Sequence, residues 1–197
     1  MKRLIYSLTI ILFVLSLMGC ASEHNVILNY ERTLNITGGS GEIFIAKPNI
    51  IQVFRENHRG QKIIGDYWDA VTWDIVTDSN ISDWIVNALS DELRHAGFNV
   101  GYVSDISETI DKGVSLSLIK FNISGNRKSI LQSLDTNILL SMSIWKNGSM
   151  IKEYYIEGNG SNTGWTPNMS KKAGQSIEVA FKYCVNEMVT RVIGHFK

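Results

Sequence analysis

Residues 134–157, LDTNILLSMSIWKNGSMIKEYYIE, carry the clearest fold signal of this chain. Its first half alternates apolar and polar residues, the period of two that is typical of a strand with one buried face. The apolar members are Ile138, Leu140, Met142 and Ile144. Asn147-Gly148 follows, and this dipeptide favours a two-residue hairpin turn because both residues tolerate positive φ. Residues 150–157 are therefore predicted to return as the partner strand of an antiparallel hairpin.

A third strand is predicted upstream, at residues 113–124. Val114, Leu116 and Leu118 have one parity, whereas Ile119, Phe121 and Ile123 have the other. One extra residue near 118–119 would restore a single apolar face, so we predict a β-bulge there. Downstream of the hairpin, the Gly- and Asn-rich residues 159–168 predict a loop.

Two helices are predicted from apolar spacing and caps. In the first, Ser79 or Asn80 can cap the start, Asp83 lies in the first turn and Gly97 supplies the left-handed stop. Its apolar face comprises Ile81, Trp84, Ile85, Ala88, Leu89, Leu93 and Ala96. The second helix begins near Ser170 and runs close to the chain end. Its apolar face comprises Ile177, Phe181, Cys184, Val185, Met188, Val189, Val192 and Phe196, so Cys184 is predicted to be a buried small apolar residue.

The remaining strands complete a predicted α+β domain over residues 42–197. Residues 42–47 alternate and are closed by Pro48, residues 50–54 are a possible continuation after a kink, and residues 70–77 and 98–103 flank the first helix. The order is β-β-α-β-β-β-β-α. Strands whose one face is covered by helices give two layers, with a mostly antiparallel sheet and two main helices.

The first nineteen residues have the features of a secretory signal peptide. Lys2 and Arg3 are followed by an uncharged apolar run, residues 4–18. A helix of that length spans roughly 22 Å, which is too short for the ~30 Å hydrocarbon core of a membrane. We therefore predict a cleaved signal peptide at residues 1–19 rather than a permanent anchor.

Leu17-Met18-Gly19-Cys20 resembles the lipobox of bacterial lipoproteins. The resemblance implies that the Cys20 thiol carries diacylglycerol, that the leader is cut before it, and that the protein is anchored to a membrane by palmitate-type acyl chains. Residues 20–41 are then a lipidated tether. Ala21 stands where aspartate would signal inner-membrane retention, which implies the periplasmic face of the outer membrane in a Gram-negative host.

Further features resemble one family of such lipoproteins. They are the strand that ends at Pro48, the polar stretch with Arg55, the Gly65 segment, and the helix at residues 83–93 that leads to Ala96-Gly97-Phe98-Asn99-Val100. Together with the lipobox they resemble the YajG-type family of uncharacterised Gram-negative lipoproteins. The resemblance implies a periplasm-facing α+β lipoprotein and brings no catalytic residue.

Composition and motifs argue against several classes of function. The mature chain has 17 basic and 19 acidic residues, which gives no electrostatic case for nucleic acid. The four histidines form no H-x-x-x-H pair, and no G-x-S-x-G or phosphate loop occurs. We therefore predict no metal, no cofactor and no enzymatic activity.

Two kinds of partner remain as hypotheses. The first is another envelope protein, bound through a sheet edge or loops, which would make this chain an accessory or scaffold subunit. The alternative is a glycan, either peptidoglycan or polysaccharide, contacted by Trp68, Trp73 and Trp165. Asp66, Asp69 and Asp74 are close in sequence and leave an enzyme as a third hypothesis, and apolar helix faces that line a lipid groove are a fourth.

Overall fold

The computed structural model describes residues 23–68, 72–128, 131–164 and 168–197. Within these ranges the chain forms nine strands and two helices. The strands are β1 His24–Asn25, β2 Glu42–Ala46, β3 Asn49–Ile50, β4 Lys62–Trp68, β5 Thr72–Thr77, β6 Asn99–Val103, β7 Lys112–Lys128, β8 Leu131–Lys146 and β9 Ser149–Gly164. The helices are α1 Ile81–Ala96 and α2 Met169–Phe196.

The long strand β7 organises the sheet because both of its edges are paired. Along one edge it pairs with β8 over its full length, and β8 pairs in turn with β9. Along the other edge it meets β2, β3 and β4 in succession, all of them parallel to it. β6 lies beyond β2, and β5 and β1 lie beyond β4. Because the long β7–β8–β9 pairings dominate, the sheet is mostly antiparallel, and the α+β prediction is confirmed.

Local features of the β7–β8–β9 meander also confirm the sequence predictions. The register of β7 against β8 shifts between Leu118 and Lys120, which is the predicted bulge. Asn147 has φ 48° and Gly148 has φ 69°, so the hairpin turn has positive φ at both central residues. In α1, the Asn80 side chain accepts a hydrogen bond from the Asp83 backbone N–H at 3.2 Å, and Gly97 ends the helix at φ 113°.

Gln52 completes the β7 edge between β3 and β4. Its side-chain amide donates to the Phe121 carbonyl oxygen at 2.9 Å, and its side-chain oxygen accepts from the Phe121 backbone N–H. One side chain thus supplies both hydrogen bonds that a strand would supply there. The possible strand at residues 50–54 is shorter than expected, because regular pairing with β7 covers Asn49–Ile50, and the Ile51 and Gln52 backbone N–H groups then both donate to the Leu118 carbonyl oxygen.

Two parts of the sheet differ from the sequence predictions. The predicted loop at residues 159–168 is wrong over its first half, because β9 continues to Gly164. β4 was not predicted as a strand, yet it lies between β5 and β7. Gly65 interrupts the apolar pattern of β4, and a Cβ there would overlap the Ile123 backbone. The residue that weakens the strand signal is therefore the one that lets the two strands approach.

The segment assigned to the tether, residues 20–41, is packed against the domain over its described part. Val26 and Leu28 are buried, and Leu34 and Ile36 pack against the core. The buried Glu92 carboxylate on α1 accepts hydrogen bonds from the Tyr30 hydroxyl at 2.6 Å and from the Thr33 N–H at 3.1 Å. The domain boundary predicted at residue 42 therefore falls inside the packed part of the chain.

Both helices lie on one face of the sheet. Trp84 of α1 stacks on Phe181 of α2 at a ring-centroid distance of 3.7 Å and on Phe121 of β7 at 5.9 Å. Cys184 is fully buried, as predicted.

Two glycines of β9 let α2 approach the sheet. A Cβ at Gly158 would overlap the Ala180 carbonyl oxygen, and a Cβ at Gly160 would overlap the Ser176 carbonyl oxygen. Both obstacles are helix backbone, which cannot move aside as a side chain can. The helix–sheet contact therefore requires glycine, which has no side chain, at these two positions of β9.

We expect Gly160→Ala to lower the free energy of unfolding by about 2–3 kcal/mol, because the added methyl group forces α2 away from β9. Urea unfolding of the domain followed by circular dichroism measures this change. Gly194→Ala is the matched control, since a Cβ at this helical position meets nothing within 4 Å and alanine favours a helix by up to about 1 kcal/mol. Equal stability of the two variants would contradict the close-packing account.

We expect Cys184 to be inert in the folded domain. Burial raises the pKa of its thiol from 9.0 to about 12, so the reactive thiolate is absent at neutral pH. In a Cys20→Ser background, where Cys184 is the only cysteine, labelling by a thiol reagent at pH 8 should proceed no faster than global unfolding. Because the unfolded chain releases this proton first, its contribution to stability should be lost as the pH rises from about 9 towards 12. Fast labelling of the native protein would contradict the burial.

Candidate functional site

The helices cover one face of the sheet, and on the other face a small apolar cluster that includes Ala46, Ile106 and Ile110 covers one end. The inward side chains of β7 and β8, such as Leu116, Phe121 and Ile138, are buried beneath the helices. The opposite side chains of β7, β8 and β9 form what we term the open face, and most of them are polar. Strand alternation places every second residue of each strand on this face, so the apolar periodicity that builds the core also produces the polar face.

A groove of ≈ 430 Å³ lies on the open face. The side chains that line this open-face groove include Lys120, Asn122, Ser124, Asp135, Asn137 and Asn159. Register aligns them in rows across the strands. Asn122, Asn137 and Asn159 form one row, and Ser124, Asp135 and Ser161 form the next.

Hydrogen bonds hold the middle of the groove in place. The Asn137 side-chain amide donates to the Glu157 carboxylate at 2.6 Å and to the Asn159 side-chain oxygen at 2.8 Å. Lys120, Asn122 and Asp135 are exposed. The groove therefore has a fixed centre and, around it, amide, hydroxyl, carboxylate and ammonium groups that water can reach.

The three tryptophans proposed from the sequence do not form one site. Trp68 is 64% exposed and, two residues after Asp66 on β4, lies on the open face. Trp73 points to the opposite face, where it stacks on His24 at 5.1 Å between ring centroids and 8° between planes. Trp165 lies outside the described residues. Only Trp68 is thus placed beside the open-face groove.

Two of the three clustered aspartates are neighbours on the open face. Asp66 of β4 lies directly across from Asp74 of β5 and, on its other side, beside Ser124 of β7. Asp69 lies outside the described residues. Among the residues that the structure describes, no group of three or more His, Cys, Asp or Glu side chains could hold a metal ion.

A second surface follows the outer edge of β9. This strand pairs with β8 along one edge, and within the described part of the chain its other edge is unpaired. Beside that edge, β9 and α2 enclose a groove of ≈ 290 Å³, here called the β9 edge groove, whose lining includes Tyr154, Tyr155, Tyr183, Glu187 and Arg191. Tyr155 is 67% exposed and Tyr183 is 53% exposed.

The base of the β9 edge groove is held by contacts between the strand and the helix. The Tyr154 hydroxyl lies 2.7 Å from His195 Nε2. The Arg191 guanidinium lies 5.1 Å from the centre of the Tyr154 ring and forms an ion pair with Glu187 at 3.3 Å. Tyr183 stands at the rim on the helix side, whereas Tyr155, which alternates with Tyr154 along β9, points towards the open face beside the same edge.

Sequence reasoning missed Tyr155 and Tyr183. A weak signal was present, because Val179 and Tyr183 are four residues apart on the side of α2 opposite its apolar face, and both are exposed in the structure. Nothing in the sequence alone indicates that this side of α2 adjoins the free edge of β9.

Comparison with known proteins shows the fold but no family. No family model matches the chain, and no curated protein matches it. A solved structure from Xanthomonas campestris, assigned to the DUF330 family, matches with a TM-score of 0.58 and 11% identity, covering 88% of this chain and 97% of that one. At this identity the likeness establishes a shared fold and nothing about activity.

Other solved structures are less similar. A hypothetical protein from Chlamydia trachomatis matches with a TM-score of 0.48 and 9% identity over 80% of this chain and 98% of that one. A Helicobacter pylori protein described as a homologue of neuraminyllactose-binding hemagglutinin has a TM-score of 0.48 and 12% identity, over 87% and 96%. Bacterial lipoproteins, one of them from Neisseria meningitidis, match with TM-scores of 0.35. TM-scores under 0.5 carry no argument for this chain.

The lipobox residues Leu17, Met18, Gly19 and Cys20 lie outside the described residues. The resemblance to the YajG-type family therefore stays a prediction. Neither of the two described helices has an apolar stretch long enough to cross a membrane.

Proposed function

We propose that this chain is a lipid-anchored envelope lipoprotein that acts as a non-enzymatic accessory subunit and binds another envelope protein. The observation that carries the proposal is the β9 edge, a long unpaired strand edge within the described residues, bordered by exposed aromatic side chains. Such an edge presents a row of backbone donors and acceptors that an extended peptide can pair with.

The form of the edge supports strand addition. The bulge against β8 is confined to the start of β9, at Ile151, so that Lys152–Gly164 run in regular register. Charged side chains at Lys152, Glu153 and Glu157 discourage indiscriminate pairing, as is typical of natural edge strands. We propose that the occupant is an extended segment of a partner protein whose alternate side chains meet Tyr183 on the helix side of β9 and Tyr155 on the open-face side.

The proposed anchor would hold the domain close to a membrane by its β1 side, which lies at the opposite end of the sheet from β9. Cys20 precedes His24, the first residue of β1, by four positions. Four extended residues span at most about 14 Å. Because residues 26–36 are packed on the domain, the chain between the lipid and the domain would be short. A short connection favours a partner in or on the same membrane. The absence of aspartate after Cys20 supports the periplasmic face of the outer membrane.

Cys20→Ser should abolish lipid attachment, because the serine hydroxyl cannot replace the thiol as acceptor of the diacylglycerol. We expect the wild type to incorporate labelled fatty acid and to sediment with membranes, and the variant to incorporate none. A Cys184→Ser variant is the control and should label normally. Because uncut precursor can adhere through its apolar leader, fatty-acid incorporation is the deciding measurement. Wild-type labelling of Cys20→Ser would refute the anchor.

A photoreactive amino acid placed at Tyr155 or at Tyr183 should crosslink the same partner in living cells, because these residues lie on the strand and the helix that border one groove. The control position is Val53, which is 91% exposed and belongs to neither groove. The crosslinked partner segment, made as a peptide, should then slow hydrogen exchange at alternate backbone amides of residues 152–164, which is the pattern of an added strand.

Two results would count against the edge as the binding site. One is crosslinking from Tyr155 and Tyr183 that does not exceed crosslinking from Val53. The other is a partner peptide that binds without protecting the β9 amides, which would place the contact elsewhere on the domain.

A further inference from the structure

We propose that the open-face groove is a second binding site, and that its ligand is a glycan chain of neutral, hydroxyl- and amide-bearing sugars. The inference does not rest on the β9 edge proposal, because it uses a different exposed aromatic residue and other polar side chains, although Glu157 holds Asn137 and also lines the β9 edge groove. It rests on the rows of polar side chains across β7, β8 and β9 together with the exposed indole of Trp68 beside them.

The groups that line the groove match the chemistry of sugars. Amide side chains at Asn122 and Asn159 and hydroxyls at Ser124 and Ser161 both donate and accept hydrogen bonds. A sugar hydroxyl or an N-acetyl group has the same dual character. Neutral groups that donate and accept therefore match a glycan better than they match an ion, which needs one kind of partner only.

The charges around the groove argue against the simplest other ligands. Lys120 is the cation of the groove, and Asp135 lies in it while Asp66 flanks it in register with Ser124. The two carboxylates would repel an anion. A lipid chain would have to lie against polar side chains. Mixed charges at the rim can instead accept hydrogen bonds from sugar hydroxyls and donate to them.

Trp68 supplies the apolar component that sugar recognition uses. An indole ring offers a flat apolar surface and a polar N–H, which suits a ligand whose two faces are apolar C–H groups and whose edge is polar. Trp68 lies on β4, two residues after Asp66, and Asp66 adjoins Ser124 of the groove. Trp68 itself aligns with Asn126 of β7, two residues beyond Ser124, so it stands next to the Ser124 end of the groove.

Strand geometry makes this site rigid. Rows two residues apart on one face are separated by about 7 Å, and the three strands span about 10 Å. The positions of the polar groups are fixed by the β7–β8–β9 hydrogen bonds, so that little ordering is needed when a ligand binds.

The test uses the lipid-free domain with purified peptidoglycan sacculi in sedimentation and with N-acetylglucosamine tetramer in calorimetry. We expect binding to both, at least tenfold weaker in Trp68→Ala and in Asn122→Ala. Tyr183→Ala is the matched control, an exposed aromatic residue of the β9 edge groove, and should bind glycan as the wild type does. Circular dichroism melting of each variant identifies any loss that is due to unfolding.

Each outcome decides the proposal. Binding that depends on Trp68 and Asn122 but not on Tyr183 supports a glycan site on the open face. Absence of binding to both probes, or binding that all three variants retain equally, overturns it. Loss of partner crosslinking with glycan binding intact would affect the β9 edge proposal alone.

Discussion

The close contact between α2 and β9 fixes how the helices, the core and the open face are arranged. Gly158 and Gly160 carry no side chain, so the backbone of α2 lies directly on the strand at Ala180 and Ser176. This close approach fixes the helix over the meander and brings Phe181 beneath Trp84. The main core is then closed from this side of the sheet, while on the other face a smaller apolar cluster that includes Ala46, Ile106 and Ile110 covers one end and the polar residues of the groove face solvent.

The same contact determines where partners can bind. Because α2 covers the inner face of β9 without covering its edge, the strand ends the sheet with free hydrogen-bonding groups and with Tyr183 of the helix beside them. The open-face groove lies on the opposite side of the same strands. A partner strand added at the edge would extend the sheet and leave that groove open, so one small domain could hold two ligands together.

The candidate binding surfaces were predicted less completely than the fold. Trp68 was identified from sequence, but so was Trp73, which the structure places on the opposite face against His24. Neighbouring strand residues point in opposite directions, and two tryptophans on different strands share a face only if the register allows it. Tyr155 and Tyr183 were missed because the proximity of an edge strand to one side of a helix depends on contacts between residues that are distant in sequence.

The elements that were predicted correctly from sequence are those whose signals are local. Alternation defined β7 and β8, Asn147-Gly148 defined the hairpin turn, and the two apolar helix faces defined α1 and α2, since each signal acts within a few residues. Tertiary structure alone decided the rest. β4 became an inner strand despite Gly65, β9 continued through the glycines of a predicted loop, and the predicted tether packed against Glu92. In each case, residues that are distant in sequence provide the packing contacts. Local sequence preferences do not indicate such contacts, because the preference of a residue for a strand depends on what packs against it.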